Sequence, residues 1–562
     1  AWYNKGEYSK AHGRDERVYL KINDIEMSCE KGEKWERLLQ RLPDEGRGAL
    51  GISVRGRTFS LAETAEEYAY AHVLTYKNEE GRRIYERSLQ LLFLTAVRRA
   101  YPGAHARIEH SFGQGLFIRL ENMPVNDESI RHIRKQMREM ADANLPFRKT
   151  LVSTNEAKQY FEKTEQLDRL RTLQYRKFDY FTLYEIDGFQ DYFYGVMVPS
   201  SGYVRVFDLT AYDENGVVLM MPDVQNPDQP AAFRDMPKLA HTFSESARWQ
   251  EILNCQNAAD LNEMIRSHRF REFIRVNEAL QERRIEEIAE KFIESGARVM
   301  LIAGPSSSGK TTFAHRMAIA LRVHGFRPVK LSLDDYYLNR DTLPIEPDGS
   351  VDLEKLDTLD VELLGKHLPM LLAGETVGMP EFDFVTGTRK AEKHEMRVEP
   401  GQPIIIEGIH GLNDALTATV DKKDKFKIYI SALTMLNLDD HNRIRTTDAR
   451  LLRRIVRDYQ FRGTLPEETM ALWASVRRGE EKYIFPYQEN ADAMFNSSLV
   501  YELPIMKKYA YPLLCAVQPE SPYYTLANRL IKFLNYILLA DVEDEIPVNS
   551  ILREFIGGCC FY

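Results

Sequence analysis

Arg298 to Thr312 reads RVMLIAGPSSSGKTT: an apolar run, Val299, Met300, Leu301 and Ile302, leads into Gly304-Pro305-Ser306-Ser307-Ser308-Gly309-Lys310-Thr311. Four apolar residues closed by a glycine make a buried-strand pattern, and Phe313 to Val323 follows with helical spacing. GxxxxGK[ST] between a strand and a helix builds a phosphate cradle, because the glycines let main-chain N–H groups converge in front of a helix N-terminus. The expected nucleotide contacts are therefore Gly304, Ser306, Ser307, Ser308, Gly309, Lys310, Thr311 and Thr312. Lys310 supplies a point charge for the β/γ oxygens, and either Thr311 or Thr312 supplies a hydroxyl for Mg²⁺.

Downstream, strand and helix patterns alternate: PVKLSL, a helix near Leu359 to Leu372, PIIIEGI, KIYIS and a basic helix. That order predicts a parallel sheet covered by helices on both faces, with ligands at the carboxyl ends of its strands. Asp334 and Asp335 follow the strand Val329 to Leu333, and Glu407 follows Pro403 to Ile406. A carboxylate at a strand end beside a P-loop holds Mg²⁺ or takes the proton of an attacking hydroxyl, while Asp335 serves equally well as a helix cap. Arg450, Arg453, Arg454 and Arg457 recur at three-to-four spacing on one helix, which brings them together on a polyanion or lays out a solvated basic face.

The chain around this core has 562 residues, enough for three or four domains, and a net charge of −9, which points to neither nucleic acid nor an anionic membrane. No apolar run approaches membrane-spanning length and the first residues, AWYNKGEYSKAHGRDERVYL, have no signal-peptide core, so the expectation is a cytoplasmic protein with no membrane partner. Cys29, Cys255, Cys515, Cys559 and Cys560 form no CxxC pair, which argues against structural zinc or a disulfide scaffold. Vicinal Cys559 and Cys560 are either redox-active or a packed C-terminus.

Composition and periodicity divide the chain into residues 1–66, a small β-grasp domain; 67–225, an α+β domain; 226–295, a Pro/Asp/Asn-rich linker and helical connector; 296–515, the P-loop core; and 516–562, a helical tail. The first of these, closing on VRGRTFSL, resembles the TGS domain of threonyl-tRNA synthetases. LLFLTAVRRAYPGA (Leu91 to Ala104), IEHSFGQGLFIRLE, the helix Glu128 to Phe161 and DGFQDYFYGVMVPSSGYVRVFDL (Asp187 to Leu209) resemble the editing domain of the same synthetases. Where that family carries an HxxxH pair and a later Cys and His, this chain has Arg87, Leu91, Phe193 and Met197, none of which is a general base at neutral pH. The resemblance implies a retained fold without editing chemistry, serving as a scaffold or oligomerisation module. Basic clusters at Arg131 to Arg138 and Arg169 to Lys177, with Tyr175 and Tyr180 among them, alternatively suit an RNA or tRNA backbone.

LSLDDYY (Leu331 to Tyr337), MPEFDFVTGTR (Met379 to Arg389), IIIEGIHGL (Ile404 to Leu412) and DARLLRRIVRDYQFRG (Asp448 to Gly463) resemble, in register, the uridine kinase and phosphoribulokinase family. The resemblance implies ATP and Mg²⁺ as cofactors, with Asp334 as general base on a nucleoside 5′-hydroxyl and Glu407 as a second acid near the metal. It assigns Asp352, in VDLEKLD, and Arg454 to the ribose, Arg457 and Arg462 to the transferring phosphoryl group, and Tyr337, Phe382 and Arg389 to the acceptor. Around Asp352 the family's FDHP has been replaced.

Two further departures bear on the acceptor. The tyrosine and histidine that read a pyrimidine in the family's PxYDFVxHxR segment are Phe382 and Gly387, and an arginine just past the lid is Thr464. A site that discriminates by hydrogen bonds loses orders of magnitude of selectivity without its polar groups. The expected activity is transfer of the ATP γ-phosphoryl group to a small-molecule hydroxyl, a uridine- or cytidine-like nucleoside by resemblance. Alternatives are a nucleotide-dependent RNA-binding regulator and a kinase of a non-nucleoside alcohol. Homo-oligomerisation and ATP against GTP stay open. A cradle closed by the protein's own side chains, with Asp334 turned away, would remove the enzyme reading.

Overall fold

The computed structural model describes residues 17–65, 69–176, 178–343, 352, 354–383, 386–392 and 394–561. They fall into two compact units, one built from residues up to 165, 178–233 and 517–529, the other from 166–177, 234–516 and from 530 onward. Among the described residues no helix is long and apolar enough to cross a membrane.

The first unit opens with the mixed sheet Ile25–Glu30, Arg17–Ile22, Tyr70–Thr75, Ala49–Val54, Arg57–Phe59, in that spatial order, with Arg17–Ile22 and Tyr70–Thr75 parallel. Period-two alternation turns Ile22, Ile52 and Ala71 inward onto Trp35, Leu38 and Leu39 of the short helix Trp35–Gln40. Tyr70–Thr75, which lies past the boundary expected at residue 66, completes this sheet. The rest of the unit surrounds the helix Glu79–Ala100, buried along most of its length, with a four-stranded antiparallel sheet and the helix Asp127–Asp142, whose N-terminus is closed by a capping box between Asn126 and Ser129.

At Arg87, Leu91, Phe193 and Met197 the structure has packed side chains. Leu91, Phe193 and Met197 lie in the apolar core, and Arg87 donates to Glu80 and to the Val196 carbonyl, each at 3.1 Å. Two arginines of the basic cluster are also engaged: Arg134 pairs with Asp208 at 2.8 Å, and Arg138 donates to the Phe207 carbonyl while lying over that ring.

In the second unit five parallel strands stand in the order Val329–Ser332, Ile404–Glu407, Val299–Ala303, Lys425–Ser431, Ala493–Asn496. One face carries Leu364, Leu368 and Leu371 of the helix Val361–Leu372 against Val299, Leu301, Ile404 and Ile406. The other carries Leu239 and Phe243 of the helix Pro237–Ile252 against Ala303, Tyr429 and Met494. The connector helices are thus a layer of the P-loop core. The long one, Phe270–Ser295, donates from Gln281 Nε2 to the Asn496 carbonyl at 3.0 Å and sets Phe292 edge-on to Phe426. Register aligns Ser332 and Ile302 with Glu407, so three strand ends open at one edge.

Candidate active site

The loop after Val299–Ala303 passes so close to the neighbouring strand that a β-carbon at Gly304 would stand 1.9 Å from the Ile430 carbonyl oxygen. Ser307 (φ 60°) and Gly309 (φ 85°) adopt left-handed backbone and turn the chain into the helix Lys310–Val323. The loop is braced from behind by the helix Thr446–Arg462. Arg450 donates to the Ser306 carbonyl at 3.0 Å, Arg453 to the Ser307 carbonyl at 3.4 Å, and Arg454 to the Ser306 hydroxyl at 2.9 Å. Arg450 and Arg453 are fully buried and paired with Glu480 and Glu502, so they build the loop and do not present charge to a polyanion. Ser307 and Ser308 keep buried hydroxyls with no hydrogen-bond partner among the described residues, as a cradle made for a polar ligand would.

Lys310 folds back and donates to the carbonyls of Gly304 (3.0 Å) and Pro305 (3.3 Å). The two threonines part company: Thr311 Oγ1 lies 3.4 Å from Glu407 Oε1, whereas Thr312 donates from its hydroxyl (2.7 Å) and its main-chain N–H (3.3 Å) to Glu554 Oε2. Glu480 Oε1 accepts from the Ser306 N–H at 3.0 Å. Two cradle positions therefore hold protein carboxylates.

Asp334 sits in a 3₁₀ turn whose cap is the Ser332 hydroxyl. Enclosure by protein raises its carboxyl above the ordinary range; Lys310 and Arg462 pull it back and Asp335 pushes it further. Glu407 is pushed up to about 7, first by burial and then by Asp334 and Glu554, against Lys310. Paired carboxylates beside Thr311 Oγ1 are a donor set that suits Mg²⁺, whose charge would hold both acids ionised. Asp335, a possible cap from sequence, instead accepts the Phe382 N–H at 3.4 Å.

Asp352 accepts the Tyr483 hydroxyl at 3.1 Å and the Glu354 N–H at 3.1 Å. Tyr337 and Phe382 face each other with ring centroids 5.7 Å apart. Arg389 is bound to Asp360 (2.9 Å) and to the carbonyls of Tyr336 (2.8 Å) and Tyr337 (2.9 Å), which ties its own strand to the turn at Tyr336 and Tyr337. At Gly387 the Arg340 Cδ lies 2.6 Å from where a β-carbon would stand, so the place of the pyrimidine-reading histidine is covered by an arginine stem. Residues 351, 353, 384 and 385 of the quoted motifs lie outside the described residues.

One buried aspartate, Asp458, gathers three arginines: Arg454 Nε at 3.2 Å, Arg457 Nη2 at 2.8 Å and Arg462 Nη1 at 3.5 Å. Arg462, 58% exposed, is the most open of the three. Sequence reading passed over Asp458, Glu480, Glu354 and Glu554. The first was within reach of an i,i+4 rule from Arg454. Glu354 is pushed up to about 7 by burial and by Glu480, beside Lys310 and Arg454.

Residues 299–502 match the Phosphoribulokinase / Uridine kinase family. A uridine kinase of Halobacterium salinarum is 32% identical over 192 residues, 34% of this chain and 76% of that protein. The chain belongs to this family. Uridine kinases of Ligilactobacillus salivarius (33% identical over 193 residues, 34% of this chain and 81% of that protein) and Deinococcus deserti (29% over 197 residues, 35% and 86%) are similar over the same share. The kinase family segment is thus the P-loop core with its parallel sheet, and it carries the phosphotransferase activity of a kinase.

Proposed function

We propose that the chain is a Mg·ATP-dependent kinase of a small-molecule alcohol, with a nucleoside as the first acceptor to test. One observation carries the reading: at the carboxyl edge of the parallel sheet the loop ending in Lys310 keeps the Ser307 and Ser308 hydroxyls buried without a partner among the described residues, and Thr311 Oγ1 lies 3.4 Å from Glu407 Oε1 at the neighbouring strand end. Gly304 to Thr312 hold the triphosphate by main-chain N–H groups, with Lys310 swinging from its own loop carbonyls onto the β/γ oxygens. Asp334 takes the proton of the acceptor hydroxyl as that oxygen attacks the γ-phosphorus, and the bond to the β–γ bridging oxygen breaks to release the diphosphate. Arg457 and Arg462 neutralise the charge spread over the transferring group, and Arg454 holds the loop. Thr311, Glu407 and Asp334 would hold Mg²⁺, which when bound neutralises phosphate charge. Asp352, Tyr337 and Phe382 line the acceptor, with Arg389 holding the segment in place.

The test is Asp334→Asn in the full chain: turnover falls by at least about 10²-fold while ATP affinity stays within about twofold. Retained turnover removes Asp334 from the base role. A second reading, a non-pyrimidine acceptor, is favoured by Arg340 lying over Gly387 and by Phe382 in place of a tyrosine. ATP consumption measured across nucleosides, polyols and sugar phosphates separates the two.

A further inference from the structure

The C-terminal segment enters the nucleotide cradle. Ile551, Leu552 and Phe555 are fully buried, Ser550 donates to Glu278 at 2.6 Å, and the Arg453 guanidinium lies 5.0 Å over the Phe555 ring. Ile551 packs directly on the loop: a β-carbon at Gly309 would stand 2.5 Å from its Cγ2. These anchors deliver Glu554, one residue from Phe555, to the start of the helix Lys310–Val323. There its Oε2 accepts from both the hydroxyl (2.7 Å) and the main-chain N–H (3.3 Å) of Thr312.

A main-chain N–H and a hydroxyl at the first turn of a P-loop helix are donors for an anionic oxygen, and in a nucleotide complex that oxygen belongs to the α/β-phosphates. One pair of donors does not serve a carboxylate and a phosphate together, and two anions within contact distance repel. We infer that Glu554 is a built-in competitor for the nucleotide, a carboxylate held in the phosphate cradle by the C-terminal segment, so that binding of the triphosphate requires Glu554 to leave Thr312. This rests on the reading of Gly304 to Thr312 as the nucleotide site. It makes nucleotide affinity a property of residues 546–561 as well as of the loop, and anything that lifts this segment opens the site.

Full-length wild type, Glu554→Gln, Glu554→Ala and Lys310→Ala are titrated with Mg·ATP by calorimetry, and each variant's unfolding is recorded without nucleotide. Both Glu554 variants are expected to bind about tenfold or more tightly than wild type, with no rise in nucleotide-free stability to account for it. Hydrogen exchange of residues 546–561 is expected to speed up when wild type binds ATP. Equal or weaker binding by both Glu554 variants, with wild-type binding lost in Lys310→Ala, overturns the competitor and leaves the nucleotide site intact. Absence of binding by wild type and both Glu554 variants overturns the site and the competitor together.

Discussion

Glu407 sits at strained electrostatics: burial and the charges of Asp334 and Glu554 hold its carboxyl at about 7, against an ordinary 4.5. Below pH 4.5 the group is protonated folded or unfolded and does not distinguish the states. Between 4.5 and about 7 the unfolded chain gives up the proton that the folded chain keeps, so stability is lost as pH rises through that window. Glu407→Gln, which keeps the shape without the charge, should therefore match wild type near pH 4.5 and exceed it by about 1 to 3 kcal/mol at pH 8 without Mg²⁺. Denaturant melts at the two pH values measure this; an equal gap at both rejects an ionisation origin. In the proposed reaction Asp334 acts as an anion, and burial holds its carboxyl above the ordinary range, so kcat/KM should rise with pH above the ordinary carboxylate range. Asp334 and Glu407 were legible in the sequence because a strand pattern ends beside each, and the P-loop because its residues are contiguous. Glu554 was not: 242 residues separate it from Thr312, and no periodicity reports a contact at that distance.

The helix Thr446–Arg462 has two faces with different duties. Three-to-four spacing suggests that Arg450, Arg453, Arg454 and Arg457 meet one polyanion or form a solvated face, but spacing does not say which face is enclosed, and Arg450 and Arg453 are buried on glutamates of their own. Inward, Arg450 and Arg453 are fixed to Glu480 and Glu502 under the loop, partners that lie on later helices and leave no local trace. Outward, Asp458 holds Arg454, Arg457 and Arg462 as a group. Substitutions on the two faces should therefore separate. Glu480→Gln leaves the fully buried Arg450 guanidinium without its counter-charge and turns one of its two acceptor oxygens into an NH2 donor, and is expected to cost about 3 to 5 kcal/mol of stability by chemical denaturation. Arg457→Ala touches no buried partner apart from Asp458, should cost less than about 1 kcal/mol, and should lower kcat by about 10²-fold or more. A stability loss in Arg457→Ala equal to that of Glu480→Gln would merge the faces.

At the scale of the molecule, the family match ends at residue 502, yet the kinase core does not. Alternating patterns revealed the parallel sheet, and the helical connector was visible from its apolar spacing, but neither showed what the connector covers. In the structure the helix Phe270–Ser295 buries Ile285, Ile288 and Phe292, and the C-terminal segment buries Ile551, Leu552 and Phe555, all within the second unit. At about 1.5 to 3 kcal/mol for each buried aliphatic or aromatic side chain, six of them contribute on the order of 10 kcal/mol. That is comparable to the whole stability of an ordinary domain. A fragment of residues 296–515, cut where composition alone places the core, should therefore fail to unfold cooperatively and should bind an apolar dye. Residues 234–562 should melt as one transition. Cooperative melting of 296–515 by circular dichroism, with nucleotide affinity equal to the full chain, would show the connector and the C-terminal segment to be dispensable and would return the core to the limits of the family match.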